Sequence, residues 1–333
     1  MKSMINSLRL VYPPFSNQEG EWLIKDAEVR EHTKNSKIYM IGHRKELKFK
    51  DIDIPCLRLE YILSQCTKGE SSTPFELCFK LESGELISPT IKLSLQPVLD
   101  YIIDYKREVT VEYGDKCFRI IDKENDDVLE WATPDIFLFK YSRSERYSDF
   151  HERVTITEPF ELKSFSKFEL YYVGISKEND SFSRLFKDAH HGRLKILSNE
   201  TQKNRESRLT DELMLFLFDI EPLVLSSVKT DDDIDDLFFE PDKTKIIADA
   251  EKAFIKLMCT KYNTVKYLKF PLSDDGLYDS DLHRYSYHIA EDVTFYTDSV
   301  EFIGTSDDIF AKEIDIIGVE GDNANIIKFR EQI

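Results

Sequence analysis

The longest apolar stretch of this chain, around Met214-Leu-Phe-Leu-Phe218, soon meets Asp219 and Glu221. A helix that crosses a bilayer needs about 20 apolar residues. The hydrophobic side chains are therefore expected to meet in a core built from short elements, with no membrane partner. They are numerous enough to do so: 41% of the 333 residues are hydrophobic, including 23 Phe and 16 Tyr. A disordered chain lacks that supply. The length suits one large domain or two ordinary ones. The N-terminal run MKSMINSLRLVYPPF has no apolar signal region, so a cytoplasmic protein is expected.

Charge narrows the function classes. Lys and Arg total 45 against 63 Asp and Glu, a net charge of −18. Coating nucleic acid by bulk electrostatics requires net cation density, which is missing here. An enzyme with a locally cationic pocket remains allowed. The five cysteines are widely spaced, with no C-x-x-C pair. They are expected to be free, mostly buried thiols, with no structural zinc site.

The pattern of short runs predicts an α+β fold with two domains. Leu8–Tyr12, Lys37–Ile41 and Phe75–Leu81 read as strands, with hairpins around Ser83-Gly84 and Gly114-Asp115. Leu95–Tyr105 has helical spacing. Residues 1–140 are thus expected to form an α+β recognition or scaffold domain, through which a protein partner could dock. The polar residues 141–151 read as a linker, and Arg153–Thr157 and Phe168–Gly174 as strands. A helix is expected over Thr210–Phe218, capped by Thr210, and another over Lys243–Lys261. The acidic run 231–242 reads as a solvated loop.

The most informative segment is Leu170-Tyr-Tyr-Val-Gly-Ile-Ser-Lys, leading to Arg184-Leu185, then His190-His191 and Arg193. It reads as strand, glycine, small hydroxyl, polar turn, and a helix opened by Arg-Leu. This resembles the second half of the GIY-YIG nuclease signature, with Tyr172-Val173-Gly174 as the second triplet, Ser176 as the small hydroxyl and Arg184 as the helical arginine. A second segment matches in the right order: Glu251 with Ile255-Lys256 on a helix, closed by Tyr262-Asn263. The resemblance implies a small antiparallel or mixed sheet flanked by helices, spanning 152–275 with an insertion at 200–245. Residues 276–333 are then a β-rich extension.

The chemistry that the resemblance implies is metal-dependent hydrolysis of nucleic-acid phosphodiesters, DNA in preference to RNA, in a restriction or defence setting. One carboxylate, Glu251, suffices to hold Mg²⁺ or Mn²⁺ when substrate oxygens and water complete the shell. Arg184 supplies fixed positive charge where anionic charge develops. Tyr172 orients the water or a phosphate oxygen, and His190 or His191 moves a proton near neutral pH. Lys177 and Arg193 are candidate phosphate contacts. The family's first Gly-Ile-Tyr strand has no counterpart at the usual spacing: Leu162 stands there, and no Tyr lies between Tyr147 and Tyr171. A hairpin turning within Glu161–Ser166 would set residues 151–155 opposite Tyr172, which makes His151 the candidate replacement base. The alternative reading is a catalytically degenerate relative that serves in binding or assembly.

Overall fold

A computed structural model describes residues 2–67, 75–143, 146–187, 190–226, 242–306 and 313–330. The chain divides into two compact units. Unit 1 comprises Met1–Arg44 and Ser166–Ile333, and unit 2 is Lys45–Phe165. One unit is thus inserted into the other.

Unit 1 opens with β1 (Lys2–Leu10), β2 (Phe15–Ser16), α1 (Asn17–Leu23), α2 (Ala27–Thr33) and β3 (Ile38–His43). Both helices start on side-chain caps. Ser16 and Glu19 form a reciprocal capping box, and Asp26 accepts from Glu28 and Val29. Unit 2 then runs through β4 (Lys48–Asp53), α3 (Leu59–Thr67), β5 (Glu76–Ser83), β6 (Leu86–Ile87), β7 (Ile91–Ser94), α4 (Gln96–Tyr105), β8 (Val109–Tyr113), β9 (Phe118–Asp122), β10 (Val128–Ala132), α5 (Pro134–Ser142), α6 (Ser148–Glu152) and β11 (Val154–Ile156). These strands make a five-stranded and a three-stranded antiparallel sheet around one apolar core that includes Phe79, Phe118 and Phe137.

The chain re-enters unit 1 at β12 (Lys167–Ile175), followed by α7 (Ser181–Phe186), α8 (His191–Asn199), α9 (Leu209–Glu212), β13 (Leu213–Ser226) and α10 (Lys243–Met258). It closes with β14 (Arg284–Ile289), β15 (Thr294–Tyr296), β16 (Glu301–Ile303), β17 (Glu313–Glu320) and β18 (Asn323–Arg330). These strands build a ten-stranded sheet in the order β16-β15-β12-β3-β13-β1-β14-β17-β18, with β2 beside β13.

Several sequence expectations are corrected. The boundary expected at 141–151 lies inside unit 2, where α6 buries Phe150. Too few apolar anchors mark so short and polar a helix in sequence. The expected extension 276–333 supplies β14 as an interior strand of the sheet, parallel to β1. Thr210–Phe218 is a helix only to Glu212, and from Leu213 it is strand. Leu213, Leu215 and Leu217 enter one apolar cluster, while Phe216 on the other face meets Phe168 and Phe295. A strand buried on both faces reads as a continuous apolar run, which periodicity does not separate from a buried helix. This strand is central to the sheet, not part of a peripheral insertion. The acidic run 231–241 lies outside the described residues; Asp242 caps α10. Of the cysteines, Cys56 and Cys259 are exposed and Cys78 and Cys117 half-buried, so the expected buried thiols are not seen among these four.

Candidate functional site

β12 and β3 pair antiparallel, with Tyr172 opposite Ile41 and Gly174 opposite Tyr39. The register slips between Leu170 and Tyr172, leaving Tyr171 as the extra residue of a bulge. Strand alternation would send Tyr171 and Tyr172 to opposite faces. With the bulge, both pack with the cluster that holds Tyr39, Phe182 and Leu185.

Tyr39 and Tyr172 lie with ring centroids 6.1 Å apart and planes 17° from parallel. The glycines beneath them are required by close approach. A Cβ on Gly174 would stand 2.5 Å from Tyr39 Cζ, and one on Gly192 would stand 2.6 Å from Tyr172 Cε2. Any side chain at either position displaces the tyrosines.

His190 caps α8, its Nδ1 accepting from the Arg193 backbone N–H at 2.8 Å. Its Nε2 lies 2.7 Å from Tyr39 Oη. Burial, with Arg184 and Arg193 nearby, pulls the imidazole down to about 4, so the ring is neutral at pH 7. With Nδ1 accepting, Nε2 carries the proton and donates to the Tyr39 oxygen. Burial also lifts both tyrosine hydroxyls above their ordinary value, and Arg184 opposes that lift in each.

Glu251 approaches from α10, with the Ile175 backbone at the end of β12 near enough to favour its ionised form. Burial raises it to about 7, against the opposing charges of Lys252 and Lys177. Two neighbours on α10 fix the helix. Asp249, fully buried, accepts from Leu277 N at 2.8 Å, Tyr287 Oη at 2.9 Å and Tyr285 Oη at 3.2 Å. Lys252 pairs with Asp275 at 2.6 Å. The open edge of β12 is closed by 262–263. Asn263 Oδ1 accepts from Val173 N at 3.0 Å and its Nδ2 donates to Val173 O at 2.7 Å. Asn263 thus clamps the peptide unit between Tyr172 and Gly174.

The structure places Arg184 and Glu251 within electrostatic reach of both Tyr39 and Tyr172, Arg184 within reach of His190, and Lys177 within reach of Glu251. His151 is not part of this arrangement. His151 sits in unit 2, stacked on Tyr141 at 4.6 Å. The expected hairpin does not form, because β11 pairs with β7 and β12 with β3. Arg193 acts on His190 through its charge. Its hydrogen bonds go elsewhere: to Asn17 at 2.5 Å, Glu21 at 2.5 Å and the Leu185 carbonyl at 3.1 Å, over the Phe186 ring. It ties α8 to α1.

Two residues escaped the sequence reading. Tyr39 lay in a recognised strand, Lys37–Ile41, but far from Tyr172 in sequence. Tyr267 has a hydroxyl raised to about 12 by burial and by the charge of Glu251, and no local motif marks it. Among the described residues, no group of three or more His, Cys, Asp or Glu side chains is arranged to hold a metal. In comparisons with known proteins, no family model, no curated protein and no solved structure matches this chain.

Proposed function

We propose that this protein is a metal-dependent endonuclease of the GIY-YIG kind, hydrolysing phosphodiester bonds of nucleic acid, DNA in preference to RNA. The observation that carries this reading is the stacked Tyr39–Tyr172 pair, with His190 bonded to Tyr39 and with Arg184 and Glu251 acting on both tyrosines. Ile38-Tyr39 on β3 supports the part of the missing first triplet, with unit 2 intervening in sequence between the two paired tyrosine strands.

Glu251 fits a hard divalent cation. It is an oxygen donor short of compensating positive charge, which is why burial lifts it to about 7. Mg²⁺ or Mn²⁺ held there supplies charge neutralisation at the phosphoryl oxygens. In this reading the neutral Tyr39 hydroxyl, held by the Nε2–H of His190, orients the attacking water. Arg184 stabilises the charge that develops on the phosphoryl oxygens. Tyr172 orients the phosphate, and Lys177 gives a more distant contact.

The test is cleavage of supercoiled plasmid by the full chain with Mg²⁺ or Mn²⁺. Glu251→Ala and Arg184→Ala are each expected to lower the rate by about 10³-fold. A wild-type chain that cuts neither DNA nor RNA with either metal overturns the reading in favour of a degenerate binding or assembly protein.

A further inference from the structure

Between Glu251 and Asp274 the chain carries Lys252, Lys256, Lys261, Lys266 and Lys269 and no acidic residue, in a protein of net charge −18. Lys252 and Lys261 are neutralised by Asp275 and Glu200. Lys256 and Lys266 donate to the carbonyls of Leu268 and Thr260, and neither has an acidic partner among the described residues. Lys269 is exposed. The same stretch displays Leu268 at 77% exposure, with Val265 and Leu272 at 57% and 50%. Leu268 is the most exposed large hydrophobic residue among those described.

This apolar tip is held in a fixed shape. Phe270 N donates to Tyr267 O at 2.9 Å and Leu272 N to Lys269 O at 3.0 Å, and the buried Phe270 ring anchors the turn. Tyr267 takes a left-handed φ of 44°, a conformation costly for an aromatic residue and kept only where the surroundings enforce it. Lys256 ties the Leu268 carbonyl to α10, the helix that bears Glu251. Tyr267, next to the tip, lies within electrostatic reach of Glu251 and Tyr172.

We infer that the 264–272 turn is a wedge for duplex nucleic acid. Lys256, Lys266 and Lys269 hold the backbone phosphates while Leu268 enters between base steps beside the scissile phosphate. Exposed apolar side chains flanked by cations do this where proteins unstack and kink a duplex. The inference rests on the nuclease reading and names its substrate: a double strand that is distorted at the cleavage point.

The experiment uses the full chain with Glu251→Gln for binding and unaltered Glu251 for cleavage. The probe is a duplex DNA carrying 2-aminopurine, and variants are first checked for an unchanged melting temperature. Lys266→Glu with Lys269→Glu is expected to weaken duplex binding and to reduce its salt slope by about 2. Leu268→Ser is expected to remove the 2-aminopurine fluorescence rise and to slow cleavage of matched duplex by about tenfold. A mismatch at the step, already unstacked, should restore the rate. Binding and fluorescence unaffected by these variants would overturn the wedge, as would tighter binding to anionic lipid vesicles than to duplex. Cleavage that persists unaltered in the loop variants sinks the wedge and leaves the nuclease reading. Loop-dependent unstacking without any cleavage sinks the nuclease reading and leaves the wedge.

Discussion

Tyr171 and Tyr172 are neighbours on one bulged strand, yet they belong to two polar clusters of opposite character. Around Tyr171, His43 Nδ1 lies 2.9 Å from its hydroxyl and His43 Nε2 lies 3.0 Å from the fully buried Glu212. Glu212 also accepts from the Lys203 and Asn204 backbones. Glu200 takes Tyr171, Tyr262 and Lys261, and Lys203 takes Glu169 at 2.7 Å. Here Glu200 and Lys203 are matched by opposite charges, while burial keeps His43 below its ordinary value. Against the upward push of burial, Lys261 and the tyrosines hold Glu200 below the usual carboxylate range. Against the downward push of burial, Glu169 lifts Lys203 above the ordinary lysine value. Around Tyr172 burial wins instead, raising Glu251 to about 7 and lowering His190 to about 4. A network that holds its carboxylate and lysine charged stabilises a fold, whereas groups pushed toward neutral forms are poised to change state with a ligand. The difference separates scaffold from candidate site within a few residues.

The comparison breaks most sharply under hydroxyl deletion. Tyr39→Phe should lower metal-dependent cleavage by about 10²–10³-fold, a loss far beyond the about 1 kcal/mol of stability that its hydrogen bond to His190 is worth. Tyr171→Phe should leave the rate within a few-fold and instead lower stability by about 1 kcal/mol, the typical worth of a hydrogen bond. Equal losses of rate in the two variants would erase the distinction.

A second contrast concerns two carboxylates, the fully buried Glu212 and the half-buried Glu251. Glu212→Ala strands His43 and two backbone N–H groups, so about 3 kcal/mol of stability should go, read by denaturant unfolding. Glu251→Gln should do the reverse. The folded-state pKa of Glu251 lies above the unfolded value, so its contribution is fully present at low pH and is lost as pH rises from about 4.5 toward 7. The variant should therefore melt above the wild type at pH 8, with the gap closing near pH 4.5. A wild type that melts higher at pH 8 would argue against the burial of Glu251.

The same titration sharpens the activity profile. Cation binding needs the ionised carboxylate, so cleavage should fall tenfold per pH unit below about 7. A flat profile from pH 5 to 8 would remove Glu251 as the ligand. The smallest effect is expected at Lys177, which is exposed and acts on Glu251 through its charge alone. Lys177→Ala should cost only a few-fold in rate at low salt and less at high salt.

Sequence legibility tracked how local each feature is. The Tyr172–Gly174 strand, the Asp180-capped helix with Arg184, and the α10 helix with Glu251 are each set by neighbouring residues, and each was readable. So was the Tyr262-Asn263 closure, although its geometry as a clamp on Val173 was not. The strand nature of Leu213–Ser226 was hidden, because burial on both faces erases the period that tells strand from helix.

The sequence by itself determined an α+β core and the order of its chemistry-bearing segments. Only the tertiary structure decided which tyrosine faces Tyr172, since Tyr39 is separated from it by the inserted Lys45–Phe165. Strand pairing requires that two backbones meet, not that they be close in sequence. Lengthening the connection between paired strands adds closure entropy only logarithmically, so a whole folded unit can stand where a hairpin turn would otherwise be.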